Sequence, residues 1–151
     1  VDFKLNYVNK IIGKQRNIVN FQNDDLEDIY NSRTYCLFED IEKIKKLGLA
    51  KGGSLENAIV VGHSKVLNEN GLRNEKEFVN HKILDLAGDL VLSGYRVLGK
   101  VVCEQGGHLL TNSFLKKLFT SKNSFLEIEV KEEKLIKKTP RNPSIGLVVN
   151  A

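Results

Sequence analysis

The segment from about Asn74 to Leu92 constrains this chain most. Apolar residues recur there at Val79, Ile83, Leu86, Ala87, Leu90 and Val91, and the run ends before Gly94. That spacing closes into one wide apolar face on a helix of 3.6 residues per turn. A face this wide has to be covered by another layer of structure. The opposite side carries the stretch HKILDLAGD, residues 81–89. Successive helical residues turn by about 100°, so His81, Asp85 and Asp89 climb one stripe at i, i+4 and i+8, with Lys82 beside them. A solvated face usually mixes Lys and Glu freely; this stripe is either that or one half of a metal site.

The flanking sequence supplies the covering layer. VDFKLNYVN alternates Val1, Phe3 and Leu5 with polar neighbours, and QRNIVNF follows Gly13, which predicts two short strands arranged as a hairpin. NDDLEDIYNS predicts a short helix capped by Asn23 or Asp24, RTYCLF a strand, and EDIEKIKKLG a second short helix stopped by Gly48. Gly52-Gly53 breaks the chain, NAIVV reads as a buried strand, and KVLNENGLR as a strand, an Asn-Gly turn and a return. YRVLGKVVCEQ predicts a further strand, GGH a tight turn, LLTNSFLKKLF a helix, SFLEIEVKEEKLIKK one or two edge strands, and TPRNPSIGLVVNA a loose tail. Strands and helices interleave without a regular βαβα rhythm. The expected fold is therefore α+β: a two-layer sandwich of a mixed β-sheet and two main helices, with a small strand-rich insertion.

Composition narrows the function classes. At 151 residues the chain makes one domain, with a tail, and 41% hydrophobic against 28% charged residues is ordinary for a globular protein. No apolar run reaches the roughly 18 residues that would span a bilayer, so no stable membrane insertion is expected. The net charge of +4 is mixed in sign and scattered over KIKKLGLAKGG and EEKLIKKTPR, so nucleic acid is not an expected partner. Cys36 and Cys103 lack metal-type spacing and suit a reducing compartment, the cytoplasm. There is no methionine, and a chain opening on Val1 reads as a piece of a longer protein.

His81 and Asp85 have the i, i+4 spacing by which a helix supplies two zinc ligands, the logic of the H-E-x-x-H motif. Asp89 stands one turn further on. His108 follows a Gly-Gly turn just after the next strand, and glycines let the backbone bring its imidazole close to another element. A carboxylate facing His108 would favour imidazolium and fix the ring, as a general acid or an electrostatic stabiliser requires. His108 could equally be a surface residue in a helix N-cap region. A third ligand and a catalytic base are missing, and nothing in the sequence places His63 near His81.

Three separated stretches carry a resemblance: SRTYCLFEDIEKIKKLGLAKGGSLENAIVV, NENGLRNEKEFVNHKILDLAGDL and EQGGHLLTNSFLKKL. Together, in order, they are similar to the C-terminal half of the UDP-3-O-acyl-N-acetylglucosamine deacetylases, zinc amidases of lipid A biosynthesis in Gram-negative bacteria. The resemblance covers about residues 1–120 and implies two similar α+β domains with the site between them. Residues 1–125 would be the second domain, with an acyl-passage insertion at about 48–73; residues 126–151 would be a strand and loose tail. The resemblance makes His81 and Asp85 zinc ligands, Lys82 a substrate contact, and Asp89 the residue that orients His108, the general acid or oxyanion stabiliser. Thr34 would bind the carbonyl oxygen, and Tyr35, where the family usually has Phe, would lie beside the sugar. Ala50, Gly53, Ser54, Ala58 and Val60 would belong to the acyl passage. The implied partners are the UDP-sugar substrate and a first domain that supplies the third zinc ligand, a histidine, and a glutamate base. The chain by itself is then expected to be inactive. The rival reading is a non-catalytic α+β module that binds nucleotide or RNA.

Overall fold

In the computed structural model residues 1–129 are described. Strands β1 (Asp2–Asn6), β2 (Lys14–Ile18), β3 (Thr34–Leu37), β4 (Ala58–Val61) and β5 (Val102–Glu104) alternate with helices α1 (Glu27–Tyr30), α2 (Ile41–Lys46), α3 (Glu77–Val91) and α4 (His108–Thr120). A three-stranded sheet has the order β2-β1-β5, and β3 and β4 pair separately. β1 runs antiparallel to β2 and parallel to β5, so the sheet is mixed. The fold is the expected α+β sandwich.

β1 and β2 form the hairpin that the alternation predicts, with Asp2 opposite Ile18 and Asn6 opposite Lys14. Phe3 and Leu5 point inward and are buried. At the loop, the Tyr7 N–H donates to Gly13 O (2.9 Å), and Gly13 takes the left-handed conformation (φ +59°) that a side chain would disfavour.

α3 lies across both sheets and is the centre of the molecule. Its Phe78, Val79, Ile83 and Leu86 are buried with Phe3, Leu5, Ile12, Val19 and Ile29, and with Ile59 and Val61 of β4. Each such side chain contributes about 1.5–3 kcal/mol by leaving water. The apolar face is narrower than its sequence pattern: Ala87 and Leu90 are half-buried, and Val91 is 72% exposed. The helix also begins later than Asn74. The Asn74 side chain accepts the Lys76 N–H (3.0 Å) and the Glu77 carboxylate accepts the Arg73 N–H (2.6 Å), which makes residues 73–76 a turn.

Two strand expectations shrink for one reason, the reach of a partner. Of the strand expected over residues 95–105 only Val102–Glu104 forms, because β1 offers a parallel partner no further back than Asp2. Of KVLNENGLR only a single bridge, Val61 to Val66, joins a ladder. Asn68 takes over the pairing instead: its carboxamide accepts the Val60 N–H and donates to Ala58 O and Leu55 O. The expected terminal strand and tail fall mainly outside the described residues, and 126–129 have no regular structure. No helix among the described residues is long and apolar enough to cross a membrane. Cys36 and Cys103 are free thiols.

Candidate functional site

The polar stripe of α3 folds into direct contacts. The Asp85 carboxylate accepts from Lys82 Nζ through Oδ2 (2.7 Å), and its Oδ1 faces His81 Nε2 at 3.2 Å. The other ring nitrogen, Nδ1, lies 3.3 Å from the carbonyl oxygen of buried Ser32. A carbonyl only accepts, so Nδ1 carries a proton and Nε2 is turned towards Asp85. Two electron pairs this close need a positive centre between them, either a second proton on the ring or a metal ion. Burial pushes the Asp85 carboxyl up, but hydrogen bonds from His81 and Lys82 outweigh it and hold it at about 2. The carboxylate is therefore ionised throughout the neutral range.

The second imidazole is held differently. His108 opens α4, and its Nδ1 donates to both oxygens of Asp89, at 2.8 and 3.0 Å. Asp89 is largely covered (side chain 14% exposed), whereas His108 is 71% exposed, and no described residue pairs with its Nε2. The packing of α4 on α3 brings the two residues together across 19 positions of sequence.

Gly106 makes the approach of α4 possible. A Cβ there would run into Cys103 Sγ and come within 3.1 Å of the Phe3 ring, one of the most deeply buried side chains. Gly106→Ala is expected to cost about 1–3 kcal/mol by overpacking, read as a lower urea midpoint at unchanged slope. Gly107 has open space around it, so Gly107→Ala should be nearly silent in the same assay.

The remaining expected residues are distributed over β3, β4 and the connection between them. Thr34 is exposed at the start of β3, two residues beyond the Ser32 carbonyl that holds His81. Tyr35 packs edge-on against Phe78 (5.0 Å between centroids), Tyr7 (5.9 Å) and His81 (6.3 Å). Its hydroxyl lies 3.4 Å from that of Tyr7; burial first and this neighbour second push the phenol well above its ordinary range. The pairing of Thr34 with Ala58 and Cys36 with Val60 puts these four on one face, opposite core-facing Ile59 and Val61. Ala50, Gly53 and Ser54 lie in the exposed connection before β4, where Gly53 N–H donates to Ala50 O (2.9 Å) and Ser54 N–H to Asn57 Oδ1 (2.8 Å). None of the three is hydrogen-bonded to α3. His63 is in the exposed loop after β4.

One residue that supports the stripe escaped sequence reasoning although its signal was present. Glu77 precedes His81 by the same four residues that separate His81 from Asp85. It is fully buried, and its carboxylate accepts from the Arg33 N–H (3.1 Å), Arg33 Nε (2.8 Å), Arg33 Nη2 (3.1 Å) and the Arg73 N–H (2.6 Å). It thereby ties down the chain next to Ser32, whose carbonyl orients His81.

An α+β domain that carries an imidazole–carboxylate pair and a second, carboxylate-oriented imidazole along one helix holds the side-chain types of acid–base or metal chemistry. Comparison with known proteins narrows this. The profile of the UDP-3-O-acyl N-acetylglycosamine deacetylase family matches residues 1–120, and the chain belongs to that family. It is 38% identical over 126 residues to the UDP-3-O-acyl-N-acetylglucosamine deacetylase of Campylobacter jejuni subsp. jejuni serotype O:23/36 (strain 81-176), covering 83% of this chain and 43% of the relative. The enzyme of that name from Lawsonia intracellularis (strain PHE/MN1-00) is 43% identical over 118 residues, 78% of this chain and 39% of its own. That from Aliarcobacter butzleri (strain RM4018) is 37% identical over 132 residues, 87% and 44%. The chain thus spans less than half the length of these curated relatives.

Proposed function

We propose that this chain is the C-terminal, acid-side half of a zinc-dependent deacetylase acting on the acetamide of UDP-3-O-acyl-N-acetylglucosamine, an early step of lipid A biosynthesis in the cytoplasm. The observation that carries the reading is the apposition of His81 Nε2 and Asp85 Oδ1 beside a His108 anchored on Asp89. The donor set suits zinc. Two ligands about 2.0 Å from a tetrahedral ion stand roughly 3.3 Å apart, and Nε2 and Oδ1 are 3.2 Å apart. The Ser32 carbonyl on Nδ1 is the outer contact that metal-binding histidines ordinarily have. Among the described residues no three His, Cys, Asp or Glu side chains form a cluster that could hold a metal. In this reading a first domain of the same protein contributes the third ligand, a histidine, and the glutamate that takes a proton from water. Bound zinc would polarise the acetamide carbonyl and make a water acidic enough to lose its proton near neutrality.

The work of this chain is then binding and protonation. Thr34 Oγ1 donates a hydrogen bond to the carbonyl oxygen as it gains negative charge. His108, its Nδ1–H fixed by Asp89, offers a proton from Nε2 to the same oxygen or to the departing amine. Lys82, paired with Asp85, meets the anionic substrate, and the Tyr35 ring flanks the sugar. The face of Ala58 and Val60, with the Ala50, Gly53 and Ser54 turn at its entrance, receives the acyl chain.

The test has two parts. By titration calorimetry the purified chain should bind zinc weakly, since catalytic sites use three protein ligands, and His81→Ala should abolish that binding. Joined to a first domain of this family, the chain should release acetate from the substrate; alone it should not. Tight stoichiometric zinc or turnover by the chain alone would overturn the division of the site. No acetate from the joined protein would overturn the deacetylase reading.

A further inference from the structure

Only three residues, Gln105, Gly106 and Gly107, separate the end of β5 from His108 at the start of α4. The first of them is unusual. Gln105 has φ +52°, the left-handed region that non-glycine side chains avoid and that persists only where the surroundings over-determine it. What determines it here is its own carboxamide. Oε1 accepts the Asn6 N–H (2.6 Å), and Nε2 donates to Asn6 O (2.8 Å), so one side chain satisfies both peptide groups of one residue. The backbone pairing of β5 with β1 ends at Glu104, apart from Gln105 N–H donating to Lys4 O (3.0 Å). Asn6 is the next β1 residue that faces β5, and the carboxamide fills the place of the backbone that the left-handed turn has taken away.

That turn directs the chain out of the sheet and begins α4 three residues later, over the polar side of α3. The position of His108 depends on it. The imidazole is 71% exposed, and among the described residues its one hydrogen-bond partner is Asp89, so its placement is set by the backbone that delivers it. We propose that Gln105 is the positioning residue for His108: its carboxamide clamp on Asn6 holds the left-handed turn that brings the imidazole within reach of Asp89. The assignment rests on the proposed function only in calling His108 an acid; the clamp and the turn are independent of the reaction.

The test therefore reads the His108 ring and not turnover. In the 151-residue chain labelled with ¹⁵N-histidine, long-range ¹H–¹⁵N spectra should show His108 as a single tautomer protonated at Nδ1. Asp89→Ala, which removes the acceptor altogether, defines the spectrum of a ring released from its carboxylate. Gln105→Ala should move His108 to that released spectrum, leave the ring signals of His81 and His63 in place, and lower the thermal midpoint by only a few degrees. Gln105→Gly should do the same, because glycine tolerates the turn without holding it. Should Gln105→Ala fail to fold, Gln105→Glu decides: it keeps an acceptor for the Asn6 N–H but sets a second oxygen against Asn6 O, and it should release His108 in part. A native His108 spectrum in Gln105→Gly, or in a folded Gln105→Ala or Gln105→Glu, would overturn the proposal. A deacetylase that works with an unchanged ring would leave the function standing and the clamp refuted.

Discussion

Glu77→Ala is expected to lower folding stability by about 3–5 kcal/mol, the cost of leaving one partner of a buried ion pair without the other. The carboxylate is 0% exposed and the Arg33 side chain 9%, so neither charge has water to fall back on. Truncation strands the Arg33 guanidinium and frees the Arg33 and Arg73 backbone N–H groups together. A domain of this size has about 5–15 kcal/mol in total, so urea unfolding at neutral pH should show roughly a fifth or more of it gone. The pH dependence has a definite sign. Burial alone would raise the Glu77 carboxyl, but hydrogen bonds from Arg33 and Arg73 outweigh it and hold the group below the ordinary carboxylate range. Its contribution is therefore complete above the unfolded-state value of about 4.3 and is lost as pH falls through the lower folded value. Glu77→Gln should flatten that part of the acid limb of the stability profile. A variant that loses less than about 1 kcal/mol, the scale of an exposed pair, would show that the pair is not buried in solution. Because Arg33 adjoins Ser32, Glu77→Ala should also loosen His81 and weaken whatever zinc binding the chain has.

If the proposed function holds, His108→Ala in the chain joined to a first domain of this family is expected to cost roughly 10²-fold or more in turnover, the size of a general-acid contribution, with zinc content nearly unchanged. The ring's Nδ1 is occupied by Asp89, one turn beyond Asp85 on α3, and its exposed position opens α4, apart from the His81–Asp85 pair. Asp89→Asn retains an acceptor for the Nδ1–H while removing the charge, so it should lose activity by a smaller factor. Loss of zinc on removing His108, measured by metal analysis of the purified variant, would make it a ligand and refute the role of acid. Turnover within a few-fold of the parent enzyme would refute that role too.

Much of the site could be read from the sequence because a helix is local. His81, Asp85 and Asp89 share a stripe by the 3.6-residue period alone, and Phe3 and Leu5 face one way by the two-residue period of a strand. The acyl-passage residues illustrate the limit of such reading. Ala58 and Val60 share a face with Thr34 only because β4 lies parallel to β3 in one register, and no local pattern specifies that register. Val91 fits the helical period and is nevertheless 72% exposed, because none of the described elements covers the last turn of α3. Tyr35 carries a hydroxyl whose partner, Tyr7, lies 28 positions away in the hairpin loop.

By itself, then, the sequence determined the α+β layering, the α3 stripe and the hairpin, each of which follows from a repeat spanning only a few residues. Tertiary structure decided which of those residues have a partner. The burial of Glu77 against Arg33 joins positions 44 apart, and the clamp of Gln105 on Asn6 joins positions 99 apart. The physical reason is the same in both. A hydrogen bond between such distant groups exists only after folding has brought the partner within reach, and periodicity carries no information about that event.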